Sequence, residues 1–92
     1  MNYIVLLGGN IGDRLSFLAN ARKQIARQCG DITKKSSIYE TAAWGVTDQA
    51  NFYNQVITVC SEIPPVDFLR TLLVIEKDLG RVRFKKWGER VI

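Results

Sequence analysis

A chain of 92 residues with 47% hydrophobic and 24% charged residues has material for one small core and too much apolar content for a disordered chain. No uninterrupted apolar run approaches the ~20 residues of a membrane helix, and the N-terminus lacks the basic residues that open a signal peptide. The net charge of +4 lies wholly in residues 81–92, where Arg81, Arg83, Lys85, Lys86 and Arg90 face a single Glu89, while residues 1–80 carry eight charges of each sign.

In chain order, Tyr3, Ile4, Val5, Leu6 and Leu7 form a continuous apolar run ended by Gly8-Gly9-Asn10, which predicts a strand buried on both faces. Asp13 is placed to cap a helix over about residues 14–28, with Leu15, Leu18, Ile25 and Cys29 on its apolar side. Gly30 stands at the position after the helix, where a left-handed backbone is wanted. Residues 33–41 are rich in Ser, Thr, Ile and Tyr and read as a strand. Residues 42–51 read as a loop, and a strong strand follows over 52–63. Pro64-Pro65 stops it and starts a second helix, with Phe68, Leu69, Leu72, Ile75 and Leu79 on one side and Gly80 at its end.

The order β-α-β-β-α predicts an α+β fold: an antiparallel ferredoxin-like sheet with two helices, its last strand missing or incomplete. Only Arg90-Val91-Ile92 remains to begin that strand, so the expectation is a single domain, residues 1–92, cut short. Its absence would leave residues 3–7 as an open sheet edge, a surface for a homodimer.

Histidine is absent, which removes Ser-His-Asp and Cys-His catalysis and every His-based metal motif. Chemistry must run on carboxylates, cations, hydroxyls and bound groups. Cys29 and Cys60 have no metal spacing and are too few for a disulfide scaffold, which points to a reduced, cytoplasmic setting. The basic segment 81–92 has two readings, a solvated tail or a polyanion site. Phe84 and Trp87 among its cations favour the second, since arginine forks suit phosphate and aromatic rings stack on bases.

Several motifs fall in one register: the Gly8-Gly9-Asn10 turn, Ser36-Ser37-Ile38-Tyr39-Glu40-Thr41, Trp44-Gly45 and Asp48-Gln49. Phe52-x-Asn54, Glu76, Gly80-Arg81-Val82-Arg83 and Lys86-Trp87-Gly88-Glu89-Arg90 follow. Together they resemble the 6-hydroxymethyl-7,8-dihydropterin pyrophosphokinase family over the whole chain. The resemblance implies transfer of pyrophosphate from ATP to a hydroxymethyl dihydropterin in folate biosynthesis, with Mg²⁺ as the metal. It implies a pterin pocket of Thr41, Ala42, Trp44, Phe52 and Asn54, with Phe52 as a stacking wall and Asn54 on the ring edge. Glu76, Arg83, Lys86, Trp87 and Arg90 would serve the nucleotide, and Arg81 and Arg90 the transfer itself. Ala42 departs from the proline common there. The family's Asp-x-Asp magnesium pair has no counterpart in the sequence, so no metal ligand is assigned and the 92 residues alone are expected to be inactive. Two other classes stay open: a small nucleic-acid-binding module, and a non-catalytic oligomerising domain. Against the first, residues 52–63 lack the Gly- and aromatic-rich pattern of an RNA-stacking strand, and the expected partners are pterin and ATP rather than nucleic acid or membrane.

Overall fold

A computed structural model describes residues 1–9, 12–41 and 51–79. The elements are β1 (Asn2–Gly9), α1 (Arg14–Gln28), β2 (Asp31–Lys35), β3 (Tyr39–Thr41), β4 (Phe52–Cys60) and α2 (Pro65–Asp78). Asn10, Gly80, most of the expected loop (42–50), the basic segment 81–92 and the expected strand start at 90–92 lie outside the described residues.

All pairings are antiparallel. β4 is central, with β1 along one edge and β2 and β3 in succession along the other. Two helices with this sheet give the α+β, ferredoxin-like arrangement read from the element order.

The Asp13 carboxylate caps α1, accepting from the Ser16 backbone N–H at 3.1 Å and the Ser16 hydroxyl at 3.0 Å. At the other end Gly30 has φ 157°, and a Cβ there would collide with the Cys60 carbonyl oxygen. Glycine is therefore demanded by the close approach of the helix exit to the end of β4, not by a left-handed turn alone. α2 begins with Pro65 in its first turn, where the missing N–H costs nothing.

The core lies between the sheet and the helices. Leu7, Leu18, Ile25, Ile57, Val59 and Ile75 are fully buried, each stabilising the fold by roughly 1.5–3 kcal/mol. Val5, Phe17, Ala21, Cys29 and Phe68 complete it.

Several expectations are corrected. β1 is buried on one face only, because both helices pack on the same side: Val5 and Leu7 point in, while Ile4 is 79% exposed. Leu15 and Leu69 are exposed. At the helical step each falls roughly 90° from the middle of its helix's buried stripe, and Phe17 is turned inward where Leu15 was expected. The strand expected at 33–41 starts earlier and is interrupted at residues 36–38. Ser36 makes the break: its N–H donates to the Val56 carbonyl at 2.8 Å, and its hydroxyl accepts from the Val56 N–H at 2.9 Å. The strand expected at 52–63 stops at Cys60. One further pair of backbone bonds joins Ser61 to Met1 in the same register, and there the Ser61 hydroxyl donates to the Cys29 carbonyl and accepts from the Ile63 N–H, which turns the chain out of the sheet toward α2.

Candidate functional site

Alternation along β4 divides its side chains between two sides. Tyr53, Gln55, Ile57 and Val59 face the helices, where all but Gln55 pack in or on the core cluster. Phe52, Asn54, Val56 and Thr58 face the other way. Phe52 and Asn54 are each 7% exposed.

The pairing register brings the candidate pocket residues together. Thr41 stands opposite Phe52, and Tyr39 opposite Asn54, on the β3 side. Gly8 stands opposite Asn54 on the β1 side, with no side chain to fill the space beside the amide. The Asn54 amide donates to the Thr41 hydroxyl at 2.7 Å, a diagonal contact across the two strands. That bond fixes the plane of the amide and leaves an oxygen and a second N–H able to meet the edge of a planar ring. A ring, a hydroxyl and an oriented amide thus share one end of the sheet's helix-free side.

Glu76 is buried on α2, in the helix layer, and the structure does not bring it beside Phe52 and Asn54. Ala42, Trp44, Arg81, Arg83, Lys86, Trp87 and Arg90 lie outside the described residues.

Two clefts lie elsewhere. One, of about 440 Å³, lies between α1 and β2, and its lining includes Arg22, Lys23, Ile32, Lys34 and Lys35. The other, of about 370 Å³, lies between β1 and α2 and is lined by Tyr3, Ile4, Leu6, Phe68, Leu69 and Leu72. Neither includes a residue of the candidate pocket.

Reading by motif missed one cluster. On the helix side of the same sheet end, the Arg14 guanidinium donates to the Asn51 carbonyl at 2.7 Å and lies 3.9 Å above the Tyr53 ring. It also lies 3.7 Å from the Glu40 carboxylate, which accepts from the Asn51 side chain at 3.2 Å. Arg14 follows a helix cap and carries no motif. Its contacts to residues 40, 51 and 53 depend on strand pairing, so nothing local announces them.

Among the described residues no three carboxylate or thiol groups gather as a metal site. They do not fit Mg²⁺, and no step through the metal is assigned to them.

The profile of the 7,8-dihydro-6-hydroxymethylpterin-pyrophosphokinase family (HPPK) matches residues 4–92. The chain belongs to the HPPK family. A 2-amino-4-hydroxy-6-hydroxymethyldihydropteridine pyrophosphokinase of Methylorubrum extorquens is 42% identical over 94% of this chain and 55% of its own length. The enzymes of that name from Aquifex aeolicus and Bacillus subtilis are 37% and 39% identical, again over 94% of this chain, and are covered over 53% and 52% of their lengths. A mitochondrial folate synthesis bifunctional protein of Pisum sativum is 38% identical over 97% of this chain and 17% of its own. The chain spans about half the length of the bacterial relatives it matches. Of the pocket residues expected from the motifs, Thr41, Phe52 and Asn54 are the ones that lie among the described residues.

Proposed function

We propose that this chain forms the pterin-binding portion of an enzyme that transfers pyrophosphate from ATP to 6-hydroxymethyl-7,8-dihydropterin in folate biosynthesis. The observation that carries the reading is the Thr41–Asn54 bond beside Phe52 on the helix-free side of the sheet, in a chain that belongs to the HPPK family. Phe52 stacks on the pterin face and the Asn54 amide meets its edge, with Thr41 holding that amide in plane. By the family resemblance Ala42 and Trp44 serve the same pocket. Glu76, Arg83, Lys86 and Trp87 serve the nucleotide, and Arg81 and Arg90 meet the charge that spreads over the phosphate oxygens. In the transfer, the hydroxymethyl oxygen bonds to the β-phosphorus as the bond to the α-phosphate oxygen breaks. AMP leaves and the hydroxyl proton is lost. The reaction needs ATP as co-substrate and Mg²⁺, which compensates phosphate charge when bound. The site of action is the cytoplasm, in keeping with two free cysteines.

Titration of the chain with 6-hydroxymethylpterin, followed by fluorescence, tests the reading. Stacking on one ring is worth roughly 1–3 kcal/mol, so binding is weak and Phe52→Ala abolishes it. Equal binding by both proteins would sink the assignment. Binding of homopolymer RNA but neither pterin nor ATP would favour the nucleic-acid reading instead. The sequence contains no Asp-x-Asp pair, so the 92 residues alone yield no pterin-dependent AMP above background.

A second proposal concerns association. Among the described residues β1 has β4 as its one partner strand, and Ile4 and Leu6 are exposed beside that open edge. It has no Lys or Pro to discourage pairing, so two copies join edge to edge through residues 3–7.

A further inference from the structure

We propose that Arg14 is a positioning residue for the pterin pocket, acting through the strand ends that carry Thr41 and Phe52 although it stands on the opposite side of the sheet. The proposal rests on the pterin reading of those two residues. Glu40 adjoins Thr41, and Asn51 and Tyr53 flank Phe52. Arg14 touches all three neighbours: it donates to the Asn51 carbonyl at 2.7 Å, lies 3.7 Å from the Glu40 carboxylate and covers the Tyr53 ring at 3.9 Å.

Because side chains alternate along a strand, holding residues 51 and 53 on one side fixes where residue 52 projects on the other. The need for a clamp is plain from β3, three residues long and exposed throughout, whose pairing with β4 would fray on its own. The Asn51 side chain adds a bond to Glu40 at 3.2 Å, so the two strand ends are tied to each other as well as to α1. Arginine suits the task because its planar fork donates in one direction while its face lies on an aromatic ring. Exposed ion pairs alone contribute little, so the carbonyl bond and the ring contact carry most of the restraint.

The experiment compares Arg14→Ala with Asp13→Ala, which weakens the same helix through its cap but touches neither strand. Amide hydrogen exchange and 6-hydroxymethylpterin titration are measured on all three proteins. Arg14→Ala is expected to speed exchange at residues 40–41 and 52–54, leave residues 57–60 unchanged, and weaken pterin binding about tenfold. Asp13→Ala is expected to do neither. Unchanged exchange at residues 40–41 and 52–54 in Arg14→Ala, or an equal change in Asp13→Ala, would overturn the role of Arg14. If wild type binds no pterin, the functional reading falls, and the exchange comparison still decides whether Arg14 holds these strand ends.

Discussion

Tyr3 lies flat on Phe68, with ring centroids 3.8 Å apart and planes within 12°, so the first strand is fastened to the second helix by a stacked pair. The Tyr3 hydroxyl also donates to the Ile63 carbonyl at 2.5 Å, just before that helix begins. The two contacts separate by substitution. Tyr3→Phe keeps the stack and loses the hydrogen bond, a cost of about 1 kcal/mol. Phe68→Ala removes a buried ring and costs about 3–5 kcal/mol. Urea unfolding of the two variants checks the order, and equal losses would contradict it.

The Asp13 carboxyl is held below its ordinary value of 3.8 by the Ser16 backbone N–H first and the Ser16 hydroxyl second. A carboxyl depressed in the folded state stabilises above its unfolded value and loses that contribution as pH falls through the folded one. Asp13→Ala should therefore melt a few degrees below wild type at pH 6, and the gap should close below the ordinary value as Asp13 takes up its proton. A gap that stays constant down to strong acid would mean that the charge on Asp13 contributes nothing.

Cys29 is buried and Cys60 exposed, and burial pushes the Cys29 thiol up from its ordinary value. Both features slow attack on an alkylating reagent by keeping the thiolate scarce and covered. In native protein at pH 8, iodoacetamide should label Cys60 well before Cys29, and both together after denaturation. Peptide mass spectrometry reads the order, and simultaneous native labelling would show that the α1 exit opens freely.

Self-association through β1 is tested at Ile4, which is 79% exposed, whereas Val5 points into the core and would confound the result. Sedimentation should show dimers of wild type and monomers of Ile4→Lys at the same concentration. A wild-type monomer at high concentration would remove the proposal.

Much of this architecture was legible because it is local. The Asp13 cap, the extent of α1 and the proline start of α2 follow from residues a few positions apart. The meeting of Thr41, Phe52 and Asn54 was foreshadowed by a motif resemblance, while their shared side of the sheet is settled by pairing. What escaped is what distance along the chain hides. Leu15 and Leu69 carry the right chemistry for a core but sit at the margin of their stripes. Ser36 interrupts a strand by bonding to Val56, and Arg14 reaches residues far away in sequence. Neither serine nor arginine at those positions has a local signature.

The broken edge of β2 and β3 has an arithmetic of its own. Ile32 pairs with Val59, Lys34 with Thr58 and Tyr39 with Asn54, so this edge slips one residue at Thr33 and one more within residues 36–38. Two slips are an even number. They advance the chain along β4 without exchanging inside for outside, and they deliver Thr41 rather than Tyr39 to the place across from Phe52. Deleting Ser37 would remove the second slip along with its residue, so Tyr39 would stay across from Asn54 and Thr41 across from Phe52. A residue inserted between Glu40 and Thr41 finds no such slack: it would itself stand across from Phe52 and turn Thr41 toward the helices. The irregular stretch thus acts as slack that guards the register of β3, and a change of one residue at position 37 should be far better tolerated than the same change at position 40.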